Sequence, residues 1–325
     1  MTTLPAAEPI ARFATYVATL GRGPGRSRAL TRAEAADAMN LLLRGAPDPM
    51  QIGAFLMLLR YRGEDTQEIA GLVEAAHAAC ALPALAVDLD WPSYGAGRTR
   101  GAPWFLLAAL ALAGAGVRVL VHGSNEFSGG MTVPQALQRL GLSPAMGCAE
   151  ARADLAARNF AYMPIEALCP PLAELLGLRR LFGLRSPINT VARLLDPASA
   201  SAAVDGVFHP PYIETHLAAA ELLGRPRLLV LKGGGGEAER NPFRPVAAHL
   251  MVRGEGRQVL TLPALTAEAA MTEEPPIEAI WRGEAAAPGI EARIIGTIAL
   301  GVLALGRGAD DEARAIWRRR SHWPM

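Results

Sequence analysis

Three stretches of this sequence bring together residue types that can hold phosphate. The first is Lys232-Gly-Gly-Gly-Gly-Glu237-Ala-Glu239-Arg240, entered directly from the strand-like run Arg227-Leu-Leu-Val-Leu231. Four side-chain-free residues at a strand end let a ligand backbone approach closely, and Lys232, Arg240 and Arg244 flank the turn with positive charge. The run is not a P-loop, because it lacks the Gly-Lys-Ser/Thr ending that sets a lysine and a hydroxyl on phosphate and metal. The second stretch, Trp91 to Asn125, contains no acidic residue but carries Arg98, Arg100 and Arg118. The third, Leu175 to Leu195, again lacks acids and carries Arg179, Arg180, Arg185 and Arg193. Acid-free segments rich in arginine are what a groove tracking a phosphate backbone requires. Trp91, Tyr94 and Phe182 are rings on which bases could stack.

Each feature also has a plainer reading. A single arginine is usually solvated or ion-paired, here with Asp154, Glu166 or Glu174, and four glycines also make a tight turn. Glu237 and Glu239 are weak candidates for one Mg²⁺ and read first as an acidic rim paired with Arg240. Trp104 and Phe105 open an apolar helix and read as core.

Composition bounds these readings. The 325 residues are 51% hydrophobic and 19% charged, which excludes a disordered or fibrous chain. Thirty-two basic residues, of which Lys232 is the one lysine, oppose 31 acids, so the net charge of +1 excludes a globally basic nucleic-acid binder. Three widely spaced cysteines, Cys80, Cys148 and Cys169, argue against a disulfide framework or a zinc site and read as small buried residues in a reducing cytosol. The first residues have no basic start followed by an apolar run, so no signal peptide is expected. The longest apolar stretch, residues 102–117, falls short of the ~20 residues of a membrane span. The expected location is the cytoplasm.

Helices are expected over residues 8–20, from the Thr31–Glu34 capping box to about residue 44, over 49–61, and from Asp65 or Thr66 to Cys80. A short strand at 86–90, a loop at 91–101, a helix at 103–115 and a strand at 117–121 announce an α/β unit with a parallel sheet. A helix at 132–140 and a mixed helical stretch at 172–195 follow. Beyond them come a strand at 203–209, a helix at 212–223, strands at 227–231, 246–252 and 258–262, and closing helices at 291–306 and 310–319.

Pro49-Met-Gln-Ile-Gly-Ala-Phe-Leu-Met-Leu-Leu-Arg60, Gly63-Glu64 and Glu68-Ile-Ala-Gly71 resemble the N-terminal domain of anthranilate phosphoribosyltransferases and pyrimidine nucleoside phosphorylases, the glycosyltransferase family 3 fold. A glycine loop after a strand, His122-Gly123, Leu178-Arg179 and the Asp196-Pro197-Ala198 turn follow in the matching order. The resemblance implies a small all-helical N-terminal domain at 1–82, taking in helices from about 165–195. A larger α/β domain at 83–325 has a mostly parallel central sheet, with a cleft between the two and homodimerisation through the helices. It also locates the family's Gly-Thr-Gly-Gly-Asp phosphate loop on Ser93-Tyr94-Gly95-Ala96-Gly97 and its Lys-His-Gly-Asn on Val121-His122-Gly123-Ser124. Its Asp-Glu magnesium pair falls on Ala238-Glu239. The aspartate, the lysine and one metal ligand are thus absent, and His122 reads as a remnant of the fold.

Asp90-Trp-Pro-Ser-Tyr-Gly95, the segment from Pro103 to Leu110, Phe182-Gly-Leu-Arg-Ser-Pro187 and Lys232 to Asn241 resemble the YbiB-type branch of this superfamily. That resemblance implies sequence-nonspecific binding of DNA or RNA by a degenerate active site rather than catalysis. Arg98, Arg100, Arg179, Arg180, Arg185, Arg193, Lys232, Arg240 and Arg244 are then expected on phosphates and Tyr94 and Trp91 on bases, with no cofactor, no catalytic residue and no membrane partner. The alternative is an anthranilate phosphoribosyltransferase-like enzyme using phosphoribosyl pyrophosphate and Mg²⁺.

Overall fold

The computed structural model describes residues 7–23, 25–83, 85–95, 101–267, 274–308 and 310–320. Its first elements are four helices, α1 (Ala7–Gly21), α2 (Arg32–Leu43), α3 (Pro49–Arg62) and α4 (Thr66–Cys80). Three of them begin in the same way. Thr31, Asp48 and Asp65 each accept a backbone N–H of the first turn, while Glu34, Gln51 and Glu68 reach back to the cap's own N–H. Each reciprocal pair satisfies two donors that a helix start leaves open. Glu68 does more: its carboxylate also accepts the Leu30 N–H at 2.8 Å, tying α4 to the approach of α2.

The chain then alternates strands and helices: β1 (Leu89–Ser93), α5 (Trp104–Gly114), β2 (Val119–Gly123), α6 (Val133–Arg139), α7 (Cys148–Arg158) and β3 (Phe160–Pro164). Four short helices follow, α8 (Ile165–Leu168), α9 (Pro170–Gly177), α10 (Arg179–Phe182) and α11 (Ile188–Arg193), and α9 and α11 pack on α2 and α4. The remaining elements are β4 (Ala202–Val207), α12 (Pro211–Leu222), β5 (Arg227–Lys232), β6 (Val246–Val252), β7 (Gly256–Leu262), α13 (Ile277–Arg282), α14 (Pro288–Ala304) and α15 (Asp310–Arg318).

The strands form one sheet in the order β3-β2-β1-β4-β5-β6-β7, with β1 to β5 parallel and β6 and β7 antiparallel at one edge. Period-two alternation distributes their side chains between two apolar layers. Val119, Val121, Phe160, Tyr162, Leu229 and Leu231 join the layer built on α5 and α14. Leu120, Ala161, Met163, Leu228 and Val230 join the layer that also contains the N-terminal helices. The helical domain is therefore not a separate globule: its core continues into one face of the sheet.

Two expectations are corrected here. Residues 91–93 belong to β1 rather than to a loop, so Trp91 is fully buried and stacks on Phe105 with ring centroids 6.0 Å apart. Cys80 and Cys169 are buried as expected, but they are joined as a disulfide across 5.6 Å between Cα atoms, while Cys148 stays free. The sequence separation of 89 hides the pairing, because it is made only when α9 docks on the helical domain.

Candidate functional site

The sheet order reverses direction between β1 and β4, and in an open parallel sheet a ligand crevice forms beyond the strand ends at such a switch point. Here the two strands pair over only Leu89–Ala202 and Asp90–Ala203 before parting. Arg193, from the end of α11, fills the gap. It is buried and donates to Tyr94 O at 2.9 Å, to Gly206 O at 2.7 Å and to Asp205 Oδ1 at 3.2 Å. Asp205 in turn meets His216 Nδ1 of α12 at 2.5 Å. This buried chain fixes the spread of the two strand ends and forms the floor of what lies above.

Above it opens a cleft of about 320 Å³ between the helical domain and the sheet. Arg60 of α3, Arg179, Arg185 and Arg193 line it with Phe208 and Tyr212, and among the described residues no carboxylate does. Arg60 donates to the Tyr212 hydroxyl and stands 3.8 Å from Glu64. Arg179 lies over the Phe127 ring at 4.5 Å and Arg185 over Phe208 at 5.8 Å. Burial, then the charges of Arg193, Arg179 and Arg60, hold the Arg185 guanidinium down to about 10. Like charges gathered in a partly desolvated cleft oppose one another, and an anion entering it relieves that repulsion.

The loop after β1 is organised in the opposite sense. Glu237 is buried, and its Oε1 lies 2.0 Å from where a Cβ on Gly95 would stand and 3.3 Å from Ser93 Oγ. Gly123 is fixed just as tightly, since a Cβ there would sit 1.8 Å from Ser93 O. Tyr94 is buried, with its hydroxyl 2.9 Å from His122 Nδ1, and burial followed by the charge of Asp90 raises its phenol well above the usual range. His122 Nε2 is 3.4 Å from Asp90 Oδ1, so the remnant histidine has a carboxylate neighbour supplied by the adjacent strand. Glu239 accepts the Phe105 N–H at 3.0 Å and stands 3.8 Å from Arg293, neutralising the start of α5. The two glutamates are thus turned to separate internal tasks and do not fit a shared Mg²⁺, and no group of three metal-ligating side chains occurs among the described residues.

The sequence-selected residues therefore divide. Arg179, Arg185 and Arg193 come together in the cleft, with Arg193 committed to its floor. Lys232 is exposed at the end of β5, opposite Val207, and Arg244 is exposed away from the cleft lining. Arg180 is exposed and pairs with Glu126 rather than with Asp154, Glu166 or Glu174. Arg240 is fully buried, with its backbone N–H donated to Thr297 Oγ1 and its guanidinium to Pro263 O, so its charge is not presented to a phosphate in the cleft. Trp91 and Tyr94 are core residues and offer no face to a base. Arg118 pairs with Asp88 at the far end of the strands. Gly97, Arg98 and Arg100 lie outside the described residues. Trp104 and Phe105 are core as expected. Sequence reading missed Arg60, Phe208, His209 and Tyr212 as cleft residues; the available signal was Phe208-His209 standing at a strand end before Pro210-Pro211.

Residues 14–80 match the family described as "Glycosyl transferase family, helical bundle domain". The chain is 30% identical over 254 residues to "Uncharacterized protein YbiB" of Escherichia coli (strain K12), covering 76% of this chain and 78% of that protein. It is 33% identical over 236 residues to an anthranilate phosphoribosyltransferase of Nitratidesulfovibrio vulgaris, covering 70% and 68%. Among solved structures, the anthranilate phosphoribosyltransferase of Thermus thermophilus aligns over 95% of this chain and 94% of its own, with a TM-score of 0.71 at 23% identity. The Saccharomyces cerevisiae enzyme in complex with PRPP and Mg aligns over 96% and 94%, with a TM-score of 0.75 at 18% identity. At these identities the structural likeness shows the fold. No helix among the described residues is long and apolar enough to cross a membrane.

Proposed function

This chain belongs to the anthranilate phosphoribosyltransferase-like family of glycosyl transferases, and from that premise we propose that it is a nonspecific nucleic-acid-binding protein which has kept the family's cleft without its phosphoribosyl chemistry. The observation that carries this reading is the cleft lined by four arginines and, among the described residues, by no carboxylate. A cation cluster around such a space fits a ligand that brings several negative charges, as a phosphate backbone does. The loop after β1 supports the negative half of the reading. A pyrophosphate cradle needs open backbone N–H groups, and the Glu237 carboxylate already lies against Gly95. Arg179 and Arg185 then hold phosphates, Arg60 closes the cleft from the helical domain, and Lys232 extends the positive rim.

In this reading the protein works in the cytoplasm as a homodimer through its helical domain, where Met50 and Tyr61 of α3 are exposed. In a reducing compartment Cys80 and Cys169 would be held as neighbouring thiols.

The second reading, an anthranilate phosphoribosyltransferase-like enzyme using phosphoribosyl pyrophosphate and Mg²⁺, is favoured by the names of the relatives. Two measurements divide the readings. Fluorescence anisotropy with labelled oligonucleotides at two salt concentrations is expected to show binding that weakens with salt, with a log–log slope of about −0.7 per neutralised phosphate on single strands. Melting with phosphoribosyl pyrophosphate and Mg²⁺ is expected to show no shift, whereas a native-state ligand must raise the midpoint. A clear rise without oligonucleotide binding at low salt overturns the first reading in favour of the second.

A further inference from the structure

The cleft holds one feature that phosphate alone does not explain. Phe208 follows the last residue of β4 and lines the cleft mouth, yet 43% of it is exposed. Its neighbours hold it there. The His209 ring meets it edge-on at 4.8 Å and 88°, and Arg185 stands over it at 5.8 Å. Its backbone N lies 3.6 Å from where a Cβ on Gly236 would project, so the glycine turn packs against the residue's main chain and leaves its ring outward. An apolar ring displayed among arginines has no role toward a bare inorganic anion, but it matches a ligand that joins a flat apolar face to phosphate.

We propose that Phe208 is the platform on which a nucleobase stacks, with Arg185 and Arg179 on the adjoining phosphates, so that the cleft selects single-stranded over double-stranded nucleic acid. The inference rests on the nucleic-acid reading above and adds to it a stacking residue and a strand class. Bases in a duplex are stacked on one another and present only their edges, whereas an unpaired base offers its face. Cation and ring also recur together at the cleft: Arg60 lies over Tyr212 at 5.7 Å and Arg185 over Phe208, while Arg179 lies over Phe127 outside the lining, and of these three rings only Phe208 is exposed rather than half-buried. This alternation of rings and charges is the arrangement that sequence-tolerant single-strand binding uses. Phe208 thereby takes the task that Trp91 and Tyr94 cannot perform.

The test compares anisotropy titrations of three labelled probes: a short oligothymidylate, a backbone of equal length without bases, and a duplex. The expected result for the unmodified protein is tighter binding of the oligothymidylate than of the abasic strand, by about five- to 150-fold for one stacked base. Phe208→Leu should erase that preference, and Phe208→Trp should retain it. Because Phe208 is exposed, neither substitution disturbs the core. A preference that survives in Phe208→Leu, or equal binding of duplex and single strand by the unmodified protein, overturns the platform while leaving the phosphate cleft standing. Absence of binding to all three probes at low salt overturns the nucleic-acid reading itself, and the platform with it.

Discussion

The loop after β1 and the cleft beside β4 are neighbours at the same end of the parallel strands, and they manage charge in opposite ways. At the loop, Gly95 of the run that resembles a phosphate cradle receives a carboxylate from the protein's own chain, and the start of α5 is capped by a second. In the cleft, burial and then the charges of neighbouring guanidinium groups lower the pKa of Arg185, and no carboxylate among the described residues lines the space between them. The difference teaches that an anion site is better recognised by like charges gathered around a cavity than by a glycine pattern. Glycine gives access, and what enters depends on the charge already in place.

The contrast can be broken most directly in the cleft. The double substitution Arg179→Gln with Arg185→Gln is expected to weaken oligonucleotide binding by about 100-fold or more, since each charge-assisted contact contributes about 1.5–3 kcal/mol. Anisotropy at fixed salt measures this, and near-normal binding would place the anion site elsewhere.

A second prediction concerns the buried layer beneath both regions. Asp196 accepts the Ala200 N–H at 2.8 Å and pairs with Arg225, yet burial and then the charge of Asp90 push its carboxyl up to about 7. The folded state therefore holds this proton more tightly than the unfolded chain does, whose aspartate titrates near ~3.9. Its contribution to stability is fully present below about pH 4 and is lost as pH rises through about 7. Urea denaturation across that range should show this decline, and Asp196→Asn should flatten it.

The smallest effect sharpens the comparison from the loop side. Glu239→Ala removes the carboxylate from the start of α5 and is expected to cost about 1 kcal/mol in a urea titration. It should leave oligonucleotide affinity unchanged, because Glu239 belongs to the closed region. A large loss of affinity would show that the two regions act as one site.

Much of the architecture was legible because its causes are local. The Thr31–Glu34 capping box and the cap at Asp65 start α2 and α4 where the residues say they should, and the apolar run before Ala115 is the buried α5. The misplacement of β1 has a clear reason: Trp91-Pro-Ser93 carries a proline, a turn signal, but in the fold these residues pair with Val121, His122 and Gly123 of β2. The strand β3 was missed because five residues following α7 give too short a pattern to separate from a helix end.

The site was half legible. Acid-free stretches pointed to Arg179 and Arg185, and both line the cleft. Arg193 and Arg240 belong to the same charge class, yet they are consumed internally by partners that come from other elements, Asp205 and Gly206 in one case and Pro263 and Thr297 in the other. Neither could be told from a ligand-facing arginine until the strands were assembled. Phe208 escaped notice because its significance is its exposure, which no local pattern encodes.

The bond between Cys80 and Cys169 has a topological consequence. While it is closed, the chain from α4 to α9 is a covalent ring, and β1, β2 and β3, three of the seven strands, lie within it. A single backbone break anywhere between residues 81 and 168 would then leave one linked molecule, with both new ends still tethered to the same sheet.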